Sequence, residues 1–367
     1  MCYKIFAINP GSTSTKLALF HGEEKVFSAN LPHDAHILKG FSTIAQQLPY
    51  REEAINTLLA ENKIDLHLVD AFVGRGGGLL SVEGGTYIIN ETLLDHAVNC
   101  ANGVPHPATL GPQLAAKYAS IYGKNAYVVN PPDTDELQDV ARITGIKGVY
   151  RNIHLHALNL KETAIRHASR LGKAYDECNF IVCHIGGGVS VSAHAHGKMI
   201  DGNDIVGGEG PMAPTRCGAV PVMEVLNYMI ATDSSPKAMK ELVVKSGGFV
   251  SHLGTADTQA VTSRIAQGDK EAELVWRAFI YQIEKAIGAM AVVLKGKIDG
   301  ILLGGGIVHS KDLVDTLTAD CGFLAPVTAY PGEFEMEAMA AGVIRVLNGD
   351  ESPKTYTGKP VWSGFSF

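Results

Sequence analysis

The chain has 367 residues, 46% of them hydrophobic and 19% charged, a globular composition with apolar material for two domains. Its net charge of −7, without a Lys/Arg run, argues against a nucleic-acid partner. No apolar stretch approaches the ~18–20 residues of a membrane span, the N-terminus lacks the pattern of a signal peptide, and six cysteines are scattered without a CxxC, so a cytoplasmic protein with reduced thiols and no membrane partner is expected.

In chain order, "YKIFAI" and "LALF" read as two strands joined by the turn "NPGSTSTK" (9–16). "AFVGRGGG" is an apolar strand running into glycines. "ATLGPQLAAKYASIY" has helical apolar spacing, and "NAYVVN" is a strand ending at prolines. Residues 136–172 look helical at both ends and irregular in the middle. The opening pattern then returns: "NFIVCHI", a glycine turn, and the alternating strand "VSVSAHA". In "RAFIYQIEKAIGAMAVVLK", Ile280, Ile283, Ile287, Met290 and Leu294 recur at spacings of three or four, one face of a helix. "GILLGGGIVHS" is a strand meeting glycines, and "EFEMEAMAAGVIRVLNG" a helix that Gly349 could end. Strands alternate with helices throughout, so an α/β protein with two similar lobes follows.

Three turns hold chemistry. In the first, Ser12, Thr13, Ser14 and Thr15 supply hydroxyl and backbone donors, Gly11 permits close approach, and Lys16 adds charge, a set able to cradle an anion. Gly186–Gly188 and Gly304–Gly306 keep side chains out of a ligand's way. Each alone reads first as a solvated or tight turn. Together, two anion-cradling hairpins and a glycine shelf suit the phosphates and nucleoside of one nucleotide. "HLH" (154–156) and "HAH" (194–196) would pair histidines on one face if both segments were strands, a spacing compatible with zinc but with no third ligand signalled.

These residues resemble a known family. Strand–phosphate turn–strand in two lobes, with a later glycine shelf, is similar to the superfamily of acetate and sugar kinases, heat-shock chaperones and actin. Within it, "NPGSTSTK", "VGRGG", "DELQDVARITG", "HALN", "HIGGGVSVSAHAHGKMID", "LGTAD" and "LLGGGIVH" resemble the butyrate-kinase branch of the acetokinase family over nearly the whole chain. The resemblance implies an actin-like ATPase (ribonuclease H-like) fold with a nucleotide cleft between lobes formed by residues 1–150 plus 337–367 and by 151–336. It implies Mg²⁺-dependent interconversion of ATP and a short-chain fatty acid with ADP and an acyl phosphate, by a homodimer. The acid would be butyrate or a branched relative; acetate kinase, or a catalytically weak actin-like ATP-binding homologue, are the alternatives.

By the same resemblance, Asn9, Ser12, Ser14 and Lys16 fall in the first phosphate loop, His184 and Gly186–Gly188 in the second, where His184 would also act as a catalytic hydrogen-bond donor, and Gly304–Gly306 in the adenosine shelf. Arg75 approaches substrate, His106 and His156 lie near it, Arg216 faces the transferred phosphoryl group, and Glu335 helps to hold Mg²⁺. Two positions depart from the pattern. Asn130 stands where the family has a catalytic aspartate, with Asp133 and Asp135 nearby, and Gln259 stands where relatives often carry arginine. The chemistry tolerates the first departure, because a fatty-acid carboxylate is already ionised at neutral pH and needs no general base.

Overall fold

The computed structural model describes residues 2–366. They divide into two compact units, residues 2–135 with 334–366, and Glu136–Glu333.

The first unit is built on a sheet of seven strands: β1 (Lys4–Pro10), β2 (Ser14–His21), β3 (Glu24–Pro32), β4 (Ala71–Gly74), β5 (Thr86–Ile88), β6 (Asn125–Val129) and, near the C-terminus, β12 (Lys354–Thr355). Their order is β12-β5-β6-β4-β1-β2-β3. β1 lies inside the sheet, and its run Ile5–Ile8 is fully buried, which is why "IFAI" is continuously apolar rather than alternating. β3 lies at the edge, and its partly buried residues alternate with exposed ones. That weak pattern hid it from the sequence. Phe6, Phe72 and Tyr118 pack edge-to-face and stacked in the core.

The second unit has five strands: β7 (Phe180–Ile185), β8 (Val189–Ala195), β9 (Lys198–Gly202), β10 (Gly300–Gly305) and β11 (Val327–Pro331), in the order β11-β10-β7-β8-β9. This reproduces β6-β4-β1-β2-β3. In each unit a hairpin and a third antiparallel strand lie on one side, with parallel strands on the other. The helix Lys270–Val293 packs on this sheet with Ile280, Ile283 and Ile287 buried, as their spacing requires. Asp269 caps it by accepting from the Glu271 and Ala272 N–H groups.

The last long helix runs Glu335–Asn348, is ended by Gly349 with φ 84°, and packs on strands of the first unit. The histidine pairs are corrected here. Residues 151–156 are irregular rather than a strand. His196 sits beyond the end of β8 with φ 52°, so it does not share a face with His194. His194 itself is fully buried between Tyr175 and Ser192. Among the described residues no helix is long and apolar enough to cross a membrane.

Candidate active site

In the first unit the β1–β2 turn, the end of β4 and the start of the last long helix bring four predicted residues together. Asn9 pairs with Lys16 across the hairpin. Its amide Nδ2 donates to Glu335 Oε2 at 2.7 Å. Arg75 follows β4 directly. A Cβ on Gly74 would fall 2.1 Å from the Gly111 carbonyl oxygen, and one on Gly111 2.2 Å from that of Arg75. Only two glycines let these backbones touch, and that contact fixes where Arg75 emerges. The Arg75 side chain is 9% exposed and its Nε lies 3.5 Å from Glu335 Oε1. Its Nη1 is buried without a hydrogen-bond partner.

His106 caps the short helix Pro107–Thr109, with Nδ1 accepting the Ala108 N–H at 3.1 Å. Burial lowers its pKa, the Arg75 charge lowers it further, and Glu335 opposes both. The ring is therefore neutral, with its proton on Nε2 as a donor.

Asn130 has a different occupation. Its Oδ1 accepts the Gly85 N–H at 2.7 Å and its own N–H donates to the Gly85 carbonyl at 3.0 Å. It holds φ at 37°, a region asparagine tolerates better than most residues, and is 3% exposed. An aspartate could accept the same side-chain bond. Nearby Asp133 accepts from Asn102 Nδ2 at 2.6 Å, and the Asp135 N–H donates to Val82.

In the second unit, β7 delivers His184 and then the turn Gly186–Gly188, closed by Gly186 N–H to Gly188 O at 3.0 Å. The loop carrying Arg216 is fastened to that turn by Thr215 Oγ1, which donates to Gly187 O at 3.2 Å. A Cβ on Gly188 would lie 1.5 Å from Arg216 Nη1, so the guanidinium rests directly on the glycine. Its Nε and Nη1 are buried without partners. Burial lowers the Arg216 pKa and the Asp204 charge raises it. His184, 3% exposed, stacks on His156 with centroids 4.0 Å apart, and His156 Nδ1 meets Ser190 Oγ at 2.8 Å. Thr215 and Ser190 were not singled out from sequence, although both adjoin motif residues.

The third glycine run divides. Gly304 is inside β10, and Gly305 bonds to Gly332 in both directions, with a Cβ at 305 meeting the Ile185 carbonyl at 2.4 Å. These two serve strand packing. Gly306 is exposed with open space around it. Gln259 is exposed at the start of the helix Thr258–Ala266. An apolar cavity of about 520 Å³ lies beside the Arg216 loop, walled by Met212, Cys217, Val222, Leu226 and Tyr228 among others.

The description Acetokinase family matches residues 147–323. A protein named probable butyrate kinase from Clostridium botulinum (strain Alaska E43 / Type E3) is 42% identical over 97% of this chain and 100% of its own length. Butyrate kinase 2 from Clostridium acetobutylicum is 39% identical, with 97% and 100% covered. Among solved structures, acetate kinase from Porphyromonas gingivalis superposes with a TM-score of 0.78 at 20% identity, covering 94% of this chain and all of that one. A propionate kinase from Francisella tularensis gives 0.71 at 18%, covering 93% and 98%. The fold is thus that of the actin-like ATPases to which acetate kinases belong, and with near-complete coverage at this identity the chain belongs to the acetokinase family.

Proposed function

We propose that this chain is an ATP-dependent carboxylate kinase whose acid is butyrate or a branched four-carbon relative. The observation that carries the reading is a pair of guanidinium groups with buried nitrogens that have no protein partner, Nη1 of Arg75 and Nε and Nη1 of Arg216. Buried donors of this kind are costly unless a ligand completes them, and an anion with several oxygens, such as a phosphoryl group or a carboxylate, is what guanidinium matches best. The names of the full-length relatives supply the choice of butyrate.

The step moves no proton. A carboxylate oxygen attacks the γ-phosphorus, that O–P bond forms, the bond from phosphorus to the bridging oxygen breaks, and ADP leaves with the electron pair. Charge spreads over the transferred oxygens in a loose transition state, so fixed cations and donors do the work. Arg216 meets the phosphoryl oxygens, Arg75 the carboxylate, and neutral His106 donates from Nε2. His156, stacked on His184, keeps that ring in place.

Mg²⁺ suits this donor set. The Glu335 carboxylate lies beside Asn9 of the first turn and Arg75, and Mg²⁺ is an ion that keeps waters and phosphate oxygens as ligands and takes one or two carboxylates. Glu335 would hold it, and when bound it neutralises phosphate charge.

We place the enzyme in the cytoplasm, a reading its six unpaired cysteines support. A homodimer would cover the helix Val222–Ala231, which is apolar and has no buried residue.

Assaying acyl phosphate formed from ATP with butyrate, isobutyrate and acetate tests the reading. Two buried methylenes at up to ~0.8 kcal/mol each should favour butyrate over acetate roughly tenfold. Equal or better kcat/KM for acetate would make this an acetate kinase, and ATP binding without turnover a silent homologue.

A further inference from the structure

The helix Leu48–Glu61 carries Arg51, whose neighbours Glu52 and Glu53 give it the look of a surface residue. It is fully buried. All five of its N–H groups are used: Nε and Nη2 donate to Gln47 Oε1 at 3.1 and 2.9 Å, Nη2 to Gly11 O at 2.9 Å, and Nη1 to Ser14 O at 3.3 Å and Thr15 Oγ1 at 3.0 Å. Every acceptor is neutral, and among the described residues Arg51 forms no ion pair. A buried charge without a counter-charge is strongly unfavourable, and burial pulls the Arg51 pKa down to about 10, which still leaves it charged at neutral pH.

Its acceptors explain the position. In a trans peptide the C=O and N–H point in opposite directions. Arg51 draws the Gly11 and Ser14 carbonyls inward, and the His33 N–H draws that of Thr13 at 2.9 Å. The Ser12 and Ser14 N–H groups therefore face away from Arg51 and His33. Among the described residues the Ser12 and Thr13 N–H groups donate to no protein acceptor.

We propose that Arg51 is a positioning residue of the first turn: by holding the Gly11 and Ser14 carbonyls behind the turn it leaves the Ser12 amide facing an anion, and the nucleotide phosphate bound there is its missing counter-ion. This rests on reading residues 9–16 as a phosphate turn. Arg51 contacts the ligand only through the peptide groups it orients.

Gln47 allows a decisive test, since Gln47→Glu is nearly isosteric and places a carboxylate where Arg51 already bonds. In the full chain, ATP dissociation constants, KM, kcat and thermal unfolding without nucleotide would be compared with the parent. An anion binding in competition with a new internal counter-ion should bind about tenfold more weakly, while kcat falls much less and unfolding without nucleotide moves no lower. A purely structural arginine would be served as well or better by a carboxylate partner, so unchanged ATP affinity overturns the proposal. Should that variant not fold, Arg51→Lys and Arg51→Met decide. Lysine keeps the charge and should hold ATP within about threefold of the parent, methionine should lose about tenfold, and equal losses overturn the proposal. A parent that binds no ATP would overturn the kinase reading and this one with it, whereas a parent that binds ATP beside an unaffected Gln47→Glu overturns this one alone.

Discussion

The two hairpin turns, residues 11–13 and 186–188, occupy equivalent places in equivalent five-strand arrangements, yet they treat their arginine in opposite ways. Arg51 sits behind the first turn with all its donors spent on that turn, Thr15 and Gln47. Arg216 lies on the second turn, against Gly188, with buried nitrogens unused. One guanidinium shapes a binding surface, and the other belongs to it. The turn sequences match this division. The first has hydroxyl residues, Ser12 and Thr13, both exposed. The second must be glycine at the point where the cation is laid on it.

The largest break in this comparison should come from Arg216→Ala. Removing an oriented cation at the reacting group typically costs on the order of 10²–10³ in rate, and ATP affinity, measured by direct titration, should change far less. Unchanged turnover would take Arg216 out of the mechanism.

Gly188→Ala against Gly187→Ala sharpens the contact itself. A methyl at 188 displaces the guanidinium, whereas one at 187 meets nothing within 4 Å. Steady-state kinetics should show about a 10–100-fold loss in kcat for the first, the scale of a small misplacement at a reacting centre, whereas for the second, whose methyl leaves the guanidinium in place, any loss should fall on the KM for ATP and not on kcat. Similar values for both would mean that the second turn does not seat Arg216.

Under the first turn, His33 provides a pH readout. Its Nε2 pairs with Thr15 Oγ1 at 2.8 Å, and burial, with Arg51 adding, lowers its pKa from 6.5 to about 4. The unfolded chain therefore takes up a proton near pH 6.5 that the native state refuses until about pH 4. This contribution to stability is full above pH 6.5 and is lost as pH falls through that window, by an amount on the order of 2 kcal/mol. Denaturant melts of the parent and His33→Gln should diverge between pH 7 and 4.5, with the parent the more acid-sensitive. Parallel curves would show that His33 titrates normally.

The smallest effect concerns the position that departs from the family. Asn130→Asp can keep the Gly85 bond, so the pH–rate profile near neutrality should stay flat, because no base is needed. A new ionisation controlling kcat would refute the proton-free step.

What the sequence made legible follows from what is local. The two strand–turn–strand units showed because β1, β7 and their partners are runs of strand-forming apolar residues broken by turn chemistry. The helix Lys270–Val293 showed by its period. Motif spelling located Arg75 and Arg216, but not why they are held where they are, since the Gly74–Gly111 contact joins segments far apart in sequence. Arg51 was illegible for the same reason: nothing in "LPYREEAINTLLAE" distinguishes its one buried charge from its exposed ones. Gly304 and Gly305 looked like Gly306, although neighbouring strands claim the first two.

The Asn9–Glu335 hydrogen bond spans 326 positions of the chain, and this has a bearing on biosynthesis. The N-terminal unit cannot be completed as it leaves the ribosome. It must wait, with the face of β1 that Glu335–Asn348 will cover still open, until the whole second unit has been translated. A ribosome stalled anywhere before the last helix would therefore release a chain in which Arg75 and Asn9 lack the carboxylate that joins them, however well the intervening unit had already folded.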